Sequence, residues 1–207
     1  MKIKRSLISF MTVASGAMSS ALPVHATPET PSYTLNLSSG SLPTDVETAN
    51  ANGLLPKKTA YKRGYTETGW TVDRLYNLGY VAVTPTYTAG EGSCENTLTL
   101  PLLRIEKGHR LTWKAQSVYR HFPESYRVEA IPADGSAPVI LAEVEAESYS
   151  ATSHDVSLAP VEGQEVSLRF VCTSSQGYLL AMWDVQAGEL PAEQIMEEEK
   201  SAGSDDP

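Results

Sequence analysis

From residue 80 onward the chain alternates apolar and polar side chains with a period of two. In RLTWKAQS, residues 110–117, Leu111, Trp113 and Ala115 share one face. In SYRVEAIP, residues 125–132, Tyr126, Val128 and Ala130 face one way while Arg127 and Glu129 face the other. In EVSLRFVC, residues 165–172, Val166, Leu168, Phe170 and Cys172 alternate with Ser167, Arg169 and Val171. Further runs at 80–86, 97–105, 138–143, 153–158 and 178–186 are rich in β-branched and aromatic residues, giving eight predicted strands. Turn signals separate them at 106–109, 133–136, 161–164 and 174–177, and Asp134-Gly135 is a strong hairpin signal. Each strand can bury one face and wet the other, as an antiparallel sandwich requires. The pattern predicts an all-β fold, an antiparallel jelly-roll β-sandwich, with no amphipathic helix of ordinary length before residue 189.

The regions outside these runs read differently. Tyr33, Leu35 and Leu37 alternate in YTLNLSS, which predicts a short strand at 33–39. Residues 41–58 read as a long loop, and 64–72, with Tyr65 and Trp70, as a short extended piece. The first 26 residues carry Lys2, Lys4 and Arg5, then an apolar and small-residue run, then Val24-His25-Ala26 before Thr27. That is the pattern of a secretory signal peptide. The expected organisation is a signal at 1–26, a sandwich domain at 27–188 and a short acidic flexible tail at 189–207.

Charge and composition narrow the function classes. The chain has a formal net charge of −9, and loss of residues 1–26 removes three basic residues and no acidic ones, leaving −12. So acidic a chain lacks the electrostatic footprint for nucleic acid or an anionic membrane face. No stretch after the signal is long and apolar enough to span a bilayer. The expectation is an exported protein of the periplasm, cell surface or extracellular space.

Several pieces, in order, resemble the cleaved-adhesin and choice-of-anchor J group of bacterial secreted and surface domains. They are Gly69-Trp70, ENTLTLP at 95–101, LTWKAQS at 111–117, FPESYRVEAI at 122–131, DVSLAPVEGQEVSLRF at 155–170 and LLAMWDVQ at 179–186. The resemblance implies a jelly roll related in shape to MAM and galactose-binding-like domains. It also implies a noncatalytic binding or accessory role. Asn50-x-Asn52-Gly53 resembles the group's Asp-x-Asp-Gly, and Trp183 stands where the group has a first Asp.

Candidate chemistry is sparse. His109, His121 and His154 are far apart and show no zinc-ligand spacing, which points to surface roles for His109 and His154. No serine lies in a G-x-S-x-G context. Cys94 and Cys172 fit one disulfide in an exported protein, and free buried thiols are the alternative. Hard cations want oxygen ligands. No cofactor is required; a calcium ion is the one candidate, with ligands drawn from Asp45, Glu47, Asn50, Asn52 and Asp184. The same residues also fit an Asn-Gly turn with Asp184 hydrogen-bonded locally. Tyr119, His121 and Phe122 lie in the loop-like VYRHFPE and are the candidate ligand-binding residues. The leading function is therefore a noncatalytic adhesion or ligand-binding module for an extracellular protein or glycan. The alternatives are a carbohydrate-binding module serving glycan utilisation, and a small secreted hydrolase built on clustered acids or a Cys/His pair.

Overall fold

A computed structural model describes residues 32–57 and 69–189. The expected signal peptide, Tyr65 and residues 190–207 of the expected tail lie outside the described residues. Eleven strands form two antiparallel sheets. They are β1 Tyr33–Thr34, β2 Glu47–Asn50, β3 Thr71–Leu75, β4 Gly79–Pro85, β5 Asn96–Arg104, β6 Arg110–Ser117, β7 Glu124–Pro132, β8 Val139–Glu147, β9 Thr152–Ser157, β10 Glu165–Cys172 and β11 Leu179–Gly188. The first sheet runs β3-β4-β11-β6-β9, with β1 also on β11; the second runs β2-β5-β10-β7-β8. Among the described residues the helical pieces are two three-residue 3-10 turns, Tyr76–Leu78 and Ala159–Val161. The fold is the expected β-sandwich. One correction falls on the long loop read at 41–58, which contains β2, too short and polar to show alternation.

The core lies between the inner faces. Leu111, Trp113 and Ala115 of β6 meet Tyr126, Val128 and Ala130 of β7 and Val166, Leu168 and Phe170 of β10. These are the alternating sets that the sequence aligns on one face. A second, smaller cluster lies on the other side of the first sheet, where Val81, Val83, Leu179, Ala181 and Trp183 are buried together. Strands β4 and β11 are thus buried on both faces. That is why their sequences read as near-continuous apolar runs.

Strand β11 changes phase midway. Trp183 stands opposite Lys114, but Gln186 stands opposite Thr112, so two residues of β11 face one of β6. Asp184 sits in this bulge with a φ of 51°. Leu180 and Met182 point into the core before it, and Val185 and Ala187 after it. The neighbour on the other edge changes at the same place. Residues Leu179–Met182 pair with β4, whereas Gln186 and Ala187 pair with β1.

At the seam between β6 and β9 of one sheet and β7 and β8 of the other, four polar or aromatic side chains interlock. The Tyr126 hydroxyl donates to Glu147 Oε2 at 2.8 Å and receives the Trp113 indole N–H at 2.9 Å. His154 Nε2 lies 2.7 Å from Glu147 Oε2 and 3.1 Å from the Tyr126 hydroxyl, and its ring stacks on Trp113 at 4.8 Å. Burial pushes the Glu147 carboxyl up, but hydrogen bonds from His154 and Tyr126, together with the His154 charge, hold it below the usual carboxylate range. His154 is therefore part of the seam, not a surface residue. His109 is also buried, and its Nδ1 accepts the Glu106 backbone N–H at 3.2 Å. On the outer face of the second sheet, Glu129 is clasped by Arg127 at 2.5 Å and by Arg169 at 2.5 and 2.9 Å.

Substitution and acidification test this account. Tyr126→Phe leaves the Trp113 and Glu147 partners buried with one bond fewer each, and should cost about 1–3 kcal/mol in urea denaturation. Because Glu147 has a depressed folded pKa, its contribution is present above the ordinary carboxylate pKa and is lost as pH falls through the folded value. Wild-type stability should therefore drop on acidification below about pH 4, and Glu147→Gln should flatten that limb. At the bulge, Asp184→Gly should be tolerated, whereas Asp184→Val should cost about 1–2 kcal/mol for a left-handed β-branched residue.

Candidate functional site

The loops of the sandwich segregate to two ends. One end gathers residues 51–57, 86–95, 118–123, 148–151 and 173–178. Backbone strain concentrates there. Ala89 and Glu95 have φ of 59° and 40°, in the same loop as Gly90 and Gly92. Non-glycine residues are held so only where the surroundings over-determine them, as at functional sites.

An aromatic patch forms at this end. Tyr119 packs edge-on against Tyr178 with ring centroids 3.9 Å apart, and Phe122 lies 6.0 Å from Tyr178. Tyr119 is 42% exposed and Phe122 39%. Their loop is a tight turn. The Ser117 hydroxyl lies 2.5 Å from the Phe122 carbonyl and 3.0 Å from the Tyr119 carbonyl, and the Phe122 N–H donates to the Tyr119 carbonyl at 3.0 Å. Val118 N–H donates to the Leu179 carbonyl, which ties the turn to the start of β11. The structure thus brings together two of the three expected ligand-binding residues. His121 stands exposed in the same turn, as does Arg120. The central ring, Tyr178, was missed because it sits 56 positions beyond Phe122 and reads as the first residue of a core strand.

Beneath the patch lies Glu124, the first inward residue of β7, with no solvent exposure. Its Oε1 accepts the Tyr178 backbone N–H at 2.6 Å and the Thr86 hydroxyl at 3.1 Å. Its Oε2 has no hydrogen-bond partner. A Cβ on Gly177 would lie 2.1 Å from that oxygen, so the carboxyl occupies the space that this glycine leaves. The loops around it are cross-tied as well. Thr88 N–H and its hydroxyl both donate to the Ser175 carbonyl, at 3.2 and 3.0 Å, and Thr86 N–H donates to the Tyr178 carbonyl.

Cys94 and Cys172 also lie here, both buried and both free. The structure carries no disulfide between them, the arrangement of the free-thiol alternative. Val171 faces Thr97 across β10 and β5, so Cys94 stands two residues past the position opposite Cys172. Burial and then the nearby Glu124 push the Cys94 thiol up to about 11, and the same two causes, in that order, raise Cys172. Both are therefore poor nucleophiles.

The five expected calcium ligands are not gathered. Asp45 lies by Tyr33, whose hydroxyl is pushed up to about 12, first by burial and then by that charge. Glu47 is exposed at the start of β2, and Asp184 sits at the β11 bulge, 3.5 Å from Lys114. Among the described residues no group of three or more His, Cys, Asp or Glu is placed to hold a metal. Asn50 and Asn52 do reach the loop end. Asn52 Nδ2 donates to the Ser93 carbonyl at 2.7 Å. Asn50 Nδ2 has three oxygens around it: the Leu54 carbonyl at 2.7 Å, the Cys94 carbonyl at 2.6 Å and Asn96 Oδ1 at 2.9 Å. An amide nitrogen has two hydrogens, and Asn50 Oδ1 is buried with no partner. Turned over, this amide would place its oxygen beside the other three, a group of four neutral oxygens.

No protein-family model and no curated protein matches the chain. Solved structures do match. The K3 cleaved adhesin domain of Lys-gingipain from Porphyromonas gingivalis W83 superposes with a TM-score of 0.55 at 17% identity, over 76% of this chain and 99% of that domain. The K1 cleaved adhesin domain of the same protein gives 0.53 at 16% identity, over 77% and 98%. A family 29 carbohydrate-binding module, solved as a point mutant complexed with mannohexaose, gives 0.50 at 9% identity, over 78% and 94%. The described chain is therefore a jelly-roll sandwich with the fold of the cleaved adhesin domains.

Proposed function

We propose that the protein is an exported, noncatalytic ligand-binding module of adhesin type that captures an extracellular oligosaccharide at its aromatic loop end. The observation that carries this reading is the patch of Tyr119, Phe122 and Tyr178. The exposed rings of Tyr119 and Phe122, backed by the half-buried Tyr178, present an apolar face for the C–H side of a sugar. The patch is seated on cross-tied loops, which lowers the ordering cost of binding. Support for the noncatalytic part comes from the chemistry nearby. Both thiols are buried with raised pKa, and the Glu147–His154 pair is committed to Tyr126 at the seam. The cleaved adhesin domains and the mannohexaose-bound module share the fold, in keeping with a surface or secreted binding role.

A calcium ion is a second part of the proposal, favoured by the buried, unpartnered Oδ1 of Asn50. Asn50, Asn96 and the Leu54 and Cys94 carbonyls would hold it, and it would fasten residues 50–54 to the 86–95 loop.

Binding is tested on an array of mannan, galactan, glucan and host-type oligosaccharides. Tyr119→Ala and Phe122→Ala should each weaken capture by about 5- to 30-fold, the loss of an aromatic anchor worth roughly 1–2 kcal/mol. Their melting temperatures should stay near wild type. Wild-type protein that captures no glycan, but binds immobilised extracellular-matrix protein through the same residues, would move the reading to protein adhesion. For the ion, the melting temperature of chelated protein should rise at millimolar calcium. The rise should vanish in Asn50→Ala and persist in Asp184→Ala; an unmoved wild-type curve removes the ion.

A further inference from the structure

The turn that carries Tyr119 and Phe122 also carries Arg120 and His121, both exposed. Cations on the central strands are answered by acids. Arg110 meets Asp155 at 2.6 Å, Lys114 meets Asp184 at 3.5 Å, and Arg127 and Arg169 share Glu129. At the loop end Lys57 meets Glu91 at 2.8 Å. Arg120 has no acid partner and no hydrogen bond among the described residues. The other acids of this end are placed elsewhere. Glu124 is sealed beneath the rings with the Tyr178 N–H and the Thr86 hydroxyl on Oε1. Glu95 precedes β5, which β10 separates from β7, and its carbonyl is bonded to Ala51.

Three loops adjoin around the patch. Ser117 N–H, at the root of 118–123, donates to the Ser148 carbonyl at 2.7 Å, which brings up 148–151. Val118 N–H donates to the Leu179 carbonyl at 2.9 Å, and Ser125 N–H to the Ser174 hydroxyl at 2.5 Å, which brings up 173–178. Together these loops hold no Asp or Glu, in a chain of formal net charge −9. They offer rings, hydroxyls and one amide instead. Tyr149 is 54% exposed and adds aromatic surface to this end. The exposed Gln176 lies over Gly90, where a Cβ would come within 2.6 Å of its Nε2. The bare glycine therefore seats this amide between two loops, with no hydrogen bond to a described residue.

We infer that the loop-end patch selects acidic oligosaccharides, with Arg120 as the specificity-determining residue that takes a sugar carboxylate while Tyr119 and Phe122 hold the faces of the sugar rings. This rests on the reading of the patch as a saccharide surface. The planar guanidinium fork matches a carboxylate with two parallel bonds, which a tetrahedral sulfate ester or a neutral hydroxyl matches less well. The negative charge of the rest of the chain acts from a distance and is largely screened beyond about 10 Å at 0.1 M salt. The local cation therefore outweighs it at the patch.

The test measures binding of the full chain, at about 0.15 M salt, to saccharides in matched pairs: sialyllactose with lactose, oligogalacturonate with its methyl ester, and dextran sulfate with dextran. The acidic member of each carboxylate pair should bind at least about fivefold tighter than its neutral partner. Arg120→Ala should bring each pair to within about twofold while leaving capture of the neutral member where it was. Arg120→Lys, a point charge without the fork, should keep the preference at reduced size. Melting temperatures of both variants should match wild type, since the turn is held by backbone bonds and Ser117. A carboxylate preference that survives in Arg120→Ala, or a preference shown for the sulfate pair alone, overturns the inference. Neutral saccharides captured through Tyr119 and Phe122 with no acidic preference leave the binding reading standing and overturn the inference. Capture of no saccharide overturns both.

Discussion

The inward face of β7 has to bury two polar groups in succession, and the rest of the molecule is arranged around that constraint. Glu124 and Tyr126 are two residues apart, so both point between the sheets. An unpaired polar group in such a place costs about 1–3 kcal/mol. Tyr126 meets the requirement fully, with a donor from Trp113 and an acceptor in Glu147, and in doing so it rivets one sheet to the other. Glu124 meets it incompletely, with the Tyr178 N–H and the Thr86 hydroxyl on Oε1 and no partner on Oε2. The same strand thus carries a satisfied network at the seam and an unsatisfied one under the loops. One pleat separates a fully bonded polar group from a partly bonded one.

Much of the fold was legible because a sandwich strand has a solvent face and a core face, which writes period two into the sequence. Strands β6, β7 and β10 follow that rule, and their cores were read residue by residue. Legibility ended where the rule is broken physically. Strand β4 is buried on both sides, so it shows no alternation to read. Strand β2 is four residues long and largely exposed. The phase change at Asp184 depends on one backbone angle, which a lone Asp does not announce.

The site was legible in part, for a related reason. Tyr119 and Phe122 stood out as aromatics in a loop, because there is no core reason for them to be there. Tyr178 had an apparent core reason, at the head of an apolar strand. Glu124 fell just outside the strand predicted from residue 125, in the loop that carries Tyr119 and Phe122. Only register shows that it is in phase with Tyr126, and only Gly177 opposite leaves it room. Asn50 was selected on pattern, but its partners are the carbonyls of Leu54 and Cys94, which side-chain identity does not encode.

Strand β1 pairs with the far half of β11, Tyr33 opposite Ala187, at the end of the sandwich away from the aromatic patch. The two ends of the domain therefore leave side by side from its rear. A pull between them would unzip the Tyr33–Ala187 pairing one bond at a time, the weak direction of a sheet. A pull between the patch and the rear would instead run along β11, loading its bonds to β4 and β6 together in shear. The same domain would give way readily as a link in a stretched chain, yet hold firm as a tethered grip.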